Sequence, residues 1–364
     1  MTTGSRTLIT GAGGYLGGLL AQRLVHELGE PVLLWIHAES EAQAEAKIAR
    51  LRPAYAGREE LVTWGWGALE AEDPFGRVAT DDLGAIVHGA AIYRFNVEPD
   101  VAHRVNVEGT RKVLDLAARC PGLRHVALLS SFYASGLRAG PIAEAPLEPG
   151  DAEGFTNAYE RSKALAEDEV LARPDLPWGI YRVGLVIADD AGGHVTQHNA
   201  FHQTLRLFHG GYMSVMPGDP ANRLYLVTGD FVARAVADMV RSPGRHRIVN
   251  VVHGPEHGVP LHEVLSTVLE VFREDPAYRR RQLPAPIWTD MAGFEVLLEG
   301  LAGFGSPMVR KALQGVATFA RQMFVHKVAE NGNMREALPW YEPEDQRALV
   351  RRASEHLVRS RFSR

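Results

Sequence analysis

The chain has 364 residues, of which 46% are hydrophobic and 23% charged, and its formal net charge is -5. That length and composition are those of a globular protein with a sizeable core, and the mild acidity argues against a nucleic-acid partner, which would favour a basic face. Its single cysteine excludes an internal disulfide, no run approaches about 18 apolar residues, and MTTGSRTLIT lacks a signal-peptide pattern, so we expect a cytoplasmic protein without a membrane span.

Short apolar runs alternate with helix-like segments through the first half of the chain. The runs typical of buried strands are 7–10, 32–36, 61–64, 85–91, 126–130, 179–187 and a last one at 247–253. The helix-like segments are 15–28, 39–52, 100–119 and 158–172. This alternation predicts βαβ units, and therefore an α/β fold with a Rossmann-type, doubly wound parallel sheet.

The alternation ends after residue 188, and from residue 261 onward the sequence is mainly helical with breaks at prolines. We therefore predict two regions. Residues 1–190 and 224–256 form the Rossmann domain, and residues 191–223 and 257–364 form a smaller, mainly helical C-terminal region that binds substrate.

A glycine-rich turn, TGAGGYLGG, follows the first predicted strand. Gly11, Gly14 and Gly17 have the spacing G-x-x-G-x-x-G, and Tyr15 and Leu16 begin the next helix. Such a turn needs positive φ and close approach of a pyrophosphate, which a Cβ would prevent, and the helix N-terminus offers free N–H groups to phosphates. Between a strand and a helix, the motif predicts dinucleotide binding.

The end of the second strand indicates which dinucleotide binds. An NAD site usually has an acidic residue there for the ribose 2′-hydroxyl, but residues 35–37 are Trp, Ile and His, and no carboxylate comes before Glu39. His37, Lys47 and Arg50 could instead supply positive charge to a 2′-phosphate, although Lys47 and Arg50 also suit a solvated helix face. NADPH is favoured over NADH.

Small and polar residues follow the fourth and fifth strands. Ala90 and Ala91, in VHGAAIYRF, let the backbone pass beside a cofactor, and two serines end the fifth strand in LLSSFYASG. Ligands of open α/β sheets bind at this edge. Asn106 lies early in a helix, where it is either a structural bridge or the holder of a water near Lys163.

The stretch NAYERSK begins another helix. Asn157 and Glu160 have the spacing of a reciprocal capping box, and Tyr159 and Lys163 would lie one turn apart on one face. Alone, such a pair is more often a solvated surface pair than a catalytic one, so the other motifs must decide.

Over roughly residues 5–255 the chain resembles an extended short-chain dehydrogenase/reductase. Six motifs carry the resemblance by their order and spacing: TGAGGYLG, VHGAA, NVEGT, LLSSFYASG, NAYERSK and YRVG. Within that superfamily, the chain is most similar to the thioester-reductase and fatty acyl-CoA reductase branch. The segments that carry this similarity are VLLWIHAESEAQAEAKIARL, NVEGTRKVLDLAA and YRVGLVIADDAGG.

The resemblance implies four catalytic roles. Ser131 would hydrogen-bond the substrate carbonyl, and Tyr159 would donate its proton to the developing alkoxide. Lys163 would bind the nicotinamide ribose and lower the tyrosine pKa, and Asn106 would support a proton-relay water. Lowering a tyrosine pKa from about 10 to about 7 requires roughly 4 kcal/mol of preference for the phenolate.

The resemblance also implies binding residues. The expected cofactor contacts are Gly11, Gly14, Tyr15, Leu16, Gly17, His37, Arg50, Ala90, Ala91, Tyr159, Lys163 and Val183. The expected substrate contacts are Tyr93, Phe132 and His194. Three positions depart from the branch: His37 replaces an arginine, Ala68 an aspartate that contacts adenine, and Val183 a proline beside the nicotinamide.

Two further patterns have ordinary explanations. His194, His198 and His202 have i, i+4, i+8 spacing and would share one helical face, but nothing else favours a metal, and we predict none. The amphipathic stretch 301–329 suits packing of the second region, with an acyl-chain wall or a dimer contact as the alternatives.

We therefore predict an NAD(P)H-dependent reductase that delivers hydride to a carbonyl, with an acyl thioester or an aldehyde as substrate. An acyl-CoA and a carrier-bound acyl chain both fit this class. The alternatives are a ketone or alcohol dehydrogenase, an NDP-sugar epimerase or dehydratase, and a redox-silent sensor. A homodimer is left open.

Overall fold

The computed structural model describes residues 5–93, 97–147, 154–244, 247–302, 316–317 and 319–363. The strands in these residues are β1 (Arg6–Thr10), β2 (Val32–His37), β3 (Val62–Gly67), β4 (Leu83–His88), β5 (His125–Ser131), β6 (Gly140–Ile142), β7 (Trp178–Val183), β8 (Leu185–Ala188), β9 (Val215–Pro217), β10 (Arg223–Leu224), β11 (Leu226–Thr228), β12 (Ile248–Val251), β13 (Val259–Pro260), β14 (Ile287–Thr289) and β15 (Lys327–Ala329).

The α-helices in the described residues are α1 (Tyr15–Gln22), α2 (Glu41–Leu51), α3 (Pro99–Ala102), α4 (Gly109–Ala118), α5 (Ala158–Leu171), α6 (Ala200–Gly210), α7 (Gly229–Arg241), α8 (Leu261–Glu274), α9 (Pro276–Arg281), α10 (Met291–Ala302), α11 (Gly332–Ala337) and α12 (Gln346–Arg359). Wide π-type turns at Arg23–Glu27 and His103–Glu108 continue α1 and join α3 to α4. The predicted helices 15–28 and 100–119 therefore exist, each with one wide turn inside it.

A seven-stranded parallel sheet has the order β12-β7-β5-β4-β1-β2-β3, which confirms the predicted fold class. β1 lies between β2 and β4, with Ile9 beside Leu34 on one side and Val87 on the other. The strand order reverses at this point, and a crevice opens there beyond the carboxyl ends of the strands.

The predicted strand 179–187 is two strands. The chain leaves the sheet at Gly184, where an added Cβ would lie 2.8 Å from a side-chain carbon of Val252. β7 pairs inside the main sheet, whereas β8 pairs with β11 in a separate two-stranded sheet. The break directs the chain from the sheet into the second region.

Alternate residues of the strands bury opposite faces of the sheet. Leu8, Leu33, Ile86, Val126 and Ile180 share one apolar cluster with α4 and α5. The neighbouring residues Ile9, Leu34, Val87, Ala127 and Tyr181 share another with α1 and α7. The helices thus cover both faces, as a parallel sheet requires.

A third apolar cluster lies in the second region and combines residues of α6, α8 and α12. The predicted division into two regions stays a prediction. One segment departs from it: β15 pairs with β6, and Met334 and Leu338 pack in a sheet cluster instead of with these helices.

No helix within the described residues is long and apolar enough to cross a membrane. Of the amphipathic stretch 301–329, residues 303–315 and 318 lie outside the described residues.

Candidate active site

The glycine turn has the geometry that close approach of a phosphate requires. Gly11 has φ +75°, and a Cβ there would lie 2.7 Å from the Ala90 nitrogen. A Cβ on Gly17 would overlap the Gly11 carbonyl oxygen. Gly14 caps α1 without a side-chain hydrogen bond, so the first N–H groups of the helix stay available to an anion. The turn therefore fits the pyrophosphate of a dinucleotide.

A cleft of about 590 Å³ runs from this turn along the carboxyl edge of the sheet. Every residue predicted to contact the cofactor lines it: Gly11, Gly14, Tyr15, Leu16, Gly17, His37, Arg50, Ala90, Ala91, Tyr159, Lys163 and Val183. Ser131 and Tyr93 line it as well. The structure thus brings together residues separated by more than 150 positions in the sequence.

One end of the cleft is bordered by α2. Lys47 donates through Nζ to the main-chain oxygen of His37 at 2.7 Å, and Arg50 lies exposed beside them. Glu70, which sequence reasoning did not single out, lines the same end. Two basic side chains and one acidic side chain therefore surround this part of the cleft.

The opposite end holds the serine, tyrosine and lysine. The Ser131 and Tyr159 hydroxyls are hydrogen-bonded to each other, and Lys163, which is 4% exposed, donates through Nζ to the Leu129 oxygen at 2.6 Å. Burial lowers the pKa of Lys163 to about 8, with Glu167 opposing the shift.

The pKa of Tyr159 moves opposite to the expected lowering. Burial raises this pKa to about 12, and the hydrogen bond with Ser131 works in the other direction. The negative charge of Glu160 raises it further. A desolvated phenol resists ionisation, so the protein's own groups keep Tyr159 protonated.

The predicted capping box forms only in part. Asn157 accepts through Oδ1 from the Glu160 N–H at 2.9 Å, as expected. The Glu160 carboxylate, however, accepts from the N–H and Oγ1 of Thr156, at 3.0 and 2.6 Å, and not from the Asn157 N–H. The return bond has moved one residue upstream, and the helix start still points Tyr159 and Lys163 into one cleft.

Asn106 is buried and connects two elements. Its amide accepts from the Ile92 N–H at 2.8 Å and donates to the Ile92 oxygen at 3.0 Å and the Ser162 Oγ at 2.8 Å. It thereby ties the loop after β4 to α5. Its role with a relay water stays a prediction.

The three residues predicted to contact the substrate lie in different places, and only one of them lines the cleft. Tyr93 lies 59% exposed at the cleft mouth, where its hydroxyl accepts from Gln197 at 3.4 Å. Phe132 does not line the cleft but is buried against Tyr225. His194 lies on the surface, hydrogen-bonded to Asp190 at 2.8 Å, and also outside the cleft.

The expectation that His194, His198 and His202 share one helical face is wrong. α6 begins at Ala200, so of the three only His202 is helical, and its Nδ1 accepts from the Asn199 N–H at 3.0 Å. Within the described residues, no group of three or more His, Cys, Asp or Glu is placed to hold a metal ion.

Sequence reasoning missed an apolar pocket of about 60 Å³ beside the end of the cleft that holds Ser131, Tyr159 and Lys163. Leu185, Ala200 and Phe319 line both spaces, and Ala320 and Val268 belong to the pocket alone. Tyr133 is a further cleft residue that was not singled out. The amphipathic pattern at 301–329 was the one available signal for the pocket wall.

Comparison with known proteins adds the family. A protein-family model described as "Male sterility protein" matches residues 69–236. An isonitrile lipopeptide synthase of Streptomyces coeruleorubidus is 30% identical over 217 residues, 56% of this chain and 15% of that protein. The fatty acyl-CoA reductase wat of Drosophila melanogaster is 24% identical over 275 residues, 63% of this chain and 52% of that protein. The chain spans about half or less of these relatives.

A similar fold occurs in the terminal R domain from the myxalamid PKS-NRPS biosynthetic pathway. The TM-score is 0.76 and the identity 22%, over 100% of this chain and 93% of that chain.

The fold and the family model define an NAD(P)-binding oxidoreductase class. Over residues 69–236 the chain therefore resembles the thioester-reductase and fatty acyl-CoA reductase branch of the extended short-chain dehydrogenase/reductase superfamily. The resemblance predicted from the motifs is thereby confirmed.

Proposed function

We propose that this protein uses NADPH to reduce the carbonyl of an acyl thioester or of the corresponding aldehyde, with Tyr159 as the general acid. The observation that carries the proposal is the meeting of Ser131, Tyr159 and Lys163 at one end of a cleft whose wall includes the glycine turn. An apolar pocket adjoins that end.

The cofactor would lie along the cleft with its pyrophosphate at Gly11 and the start of α1, and its nicotinamide beside Val183 and Lys163. A bound nicotinamide supplies the hydride. At the other end, Lys47 and Arg50 supply the positive charge that a ribose 2′-phosphate requires, which favours NADPH over NADH.

The protein's own groups then handle the proton. Ser131 and Tyr159 would hydrogen-bond the substrate carbonyl oxygen, and Tyr159 would give its phenolic proton to that oxygen as hydride arrives. The Lys163 ammonium, with a pKa of about 8, is charged at neutral pH and favours the phenolate that remains. Each turn on a thioester consumes one hydride and one proton and releases an aldehyde and a thiol.

The apolar pocket supports an acyl substrate. Its lining is almost wholly hydrophobic, and Leu185, Ala200 and Phe319 connect it with the cleft. A volume of about 60 Å³ fits only the first carbons of a chain as the walls stand. We therefore propose that short acyl groups are accommodated without rearrangement, whether carried by CoA or by a carrier protein.

The test is cofactor oxidation by the purified protein, followed with NADPH and NADH in parallel. The substrates are an acyl-CoA series, acyl groups on a phosphopantetheine thiol, the matching aldehydes and a ketone panel. Turnover of thioesters or aldehydes supports the proposal. Turnover of ketones alone would contradict the proposal and identify the protein as a ketone reductase.

Tyr159→Phe separates catalysis from binding. Losing a positioned acid costs about 10²- to 10⁴-fold in kcat, and NADPH affinity should change little. Tyr55→Phe is the matched control, because burial raises the pKa of this remote phenol to about 12 as well. If wild type turns over no carbonyl while both variants bind cofactor like wild type, a redox-silent sensor becomes the better account.

A further inference from the structure

A buried charged cluster lies behind Tyr159 and has no part in the catalytic roles above. Its centre is Glu160, the next residue in the chain, which is 0% exposed. The carboxylate accepts from Thr156 at 2.6 and 3.0 Å and from Asn157 at 3.2 Å, which are both local contacts. A fourth bond comes from Gln322, whose Nε2 donates to it at 3.0 Å from 162 residues away.

The same distant segment also holds the loop that follows Ser131. Gln322 donates a second bond to the Gly136 oxygen at 3.1 Å. Lys327 donates through Nζ to the Ser135 Oγ at 2.6 Å and to the Gly136 oxygen. Gln322 and Lys327 are 2% and 6% exposed, so these bonds form away from water, where leaving them unmade is costly.

Neighbouring residues of this segment form the wall of the apolar pocket. Phe319, Ala320 and Met323 line the pocket, and Gln322 lies between the last two. The described part of the segment therefore contacts the pocket on one side and the supports of Ser131 and Tyr159 on the other.

We propose that Gln322 and Lys327 are positioning residues that hold Ser131 and Tyr159 in register through Gly136 and Glu160. The wall of the acyl pocket and the proton donor would then move as one unit. This inference rests on the proposed function, because it assigns Tyr159 the proton.

The electrostatics of the cluster indicate that Glu160 and Lys327 each depend on the other buried groups around them. Burial raises the pKa of Glu160, and its hydrogen bonds and Lys327 oppose the rise. Burial lowers the pKa of Lys327 to about 7, with Glu160 opposing and Arg138 adding to the shift. Tyr159 and Tyr133 also face the carboxylate. Removing one member leaves the others buried with fewer partners.

The experiment compares Gln322→Met with Gln346→Met. Gln346 is a matched control, since it is a buried glutamine of the same region whose Oε1 accepts from the Leu226 N–H at 2.9 Å. At a temperature where both variants are folded, Gln322→Met should lower kcat ten- to a hundredfold with NADPH affinity within twofold of wild type. Gln346→Met should keep wild-type kcat.

Wild-type kcat in Gln322→Met, or an equal loss in Gln346→Met, overturns the proposal.

A second readout does not depend on turnover. Hydrogen–deuterium exchange of the amides in residues 130–136 and 156–163 reports how firmly the segments that carry Ser131 and Tyr159 are held. Exchange should be faster in Gln322→Met and not in Gln346→Met. Unchanged exchange overturns the inference whether or not the reductase proposal survives.

Discussion

Glu167 and Arg182 form an ion pair at 2.7 Å in which both side chains are buried, joining α5 to β7. Ser130, the neighbour of Ser131, donates to the same carboxylate at 2.5 Å, and the guanidinium also donates to the oxygens of Ala143 and Ala145. The helix that carries Tyr159 and Lys163 is thereby locked against the strand that ends at Ser131.

Breaking this pair should be strongly destabilising. Arg182→Met leaves an unpaired buried carboxylate and should lower the free energy of unfolding by about 3–5 kcal/mol. The double variant Arg182→Met with Glu167→Leu should recover part of that loss, because no buried charge remains. Urea unfolding of the three variants gives both values. Arg111→Met, which breaks the exposed pair with Glu169, should cost about 1 kcal/mol or less.

The glycine turn offers a matched pair of neighbours. Gly17→Ala places a Cβ against the Gly11 carbonyl and should weaken NADPH binding at least tenfold. Gly18→Ala is the control, because its Cβ would lie 3.6 Å from the Ala12 oxygen, an ordinary contact. Fluorescence titration with NADPH measures both. Equal affinities in the two variants would remove the turn from the binding site.

Cofactor choice should depend on the basic residues of α2. Arg50→Ala should raise the KM for NADPH about tenfold and leave the KM for NADH within twofold, because only NADPH carries the 2′-phosphate. Arg52→Ala removes a nearby exposed charge that does not line the cleft and should change neither. Steady-state kinetics with both cofactors measures the two KM values. An equal rise in the KM for NADH in Arg50→Ala would contradict the prediction.

The apolar pocket predicts opposite changes in chain-length preference. Ala320→Leu fills the pocket and should reduce kcat/KM for longer aldehydes more than for acetaldehyde. Val268→Ala enlarges it and should favour longer chains, at a cost of about 1–3 kcal/mol in stability. The measurement is kcat/KM across an aldehyde series. If neither variant alters the preference, the acyl chain lies elsewhere.

Stability should fall in acid because four histidines are held neutral. Burial lowers the pKa of His88 to about 3 and those of His125, His202 and His253 to about 4. A folded pKa below the unfolded value of about 6.5 means that stability is complete above that pH and is lost as the pH falls.

Each of these histidines should contribute up to about 2 kcal/mol of loss by pH 5. Urea unfolding between pH 7 and pH 4.5 measures the slope. His88→Asn should make it shallower, and the exposed His103→Asn should not change it.

Local sequence patterns were enough for the sheet and the glycine turn. Three features depend only on neighbours within a few residues. They are the apolar runs of strand length, the glycines at positions that exclude a Cβ, and the Tyr–Lys pair one helical turn apart. For the same reason the expected helical histidine face failed: spacing alone does not place the start of α6, which the hydrogen bonds between Asn199 and His202 establish. The burial of Phe132 could not be predicted, because its contact, Tyr225, is remote in sequence.

By itself, the sequence determined the parallel α/β fold, the glycine turn and the candidate proton donor, because these follow from periodicity and backbone sterics over short spans. Tertiary structure alone decided the break at Gly184, the apolar pocket and the bonds from Gln322 and Lys327 to the supports of Ser131 and Tyr159. Each of these joins residues far apart in the chain, and only burial in the folded molecule makes such contacts strong enough to define a site.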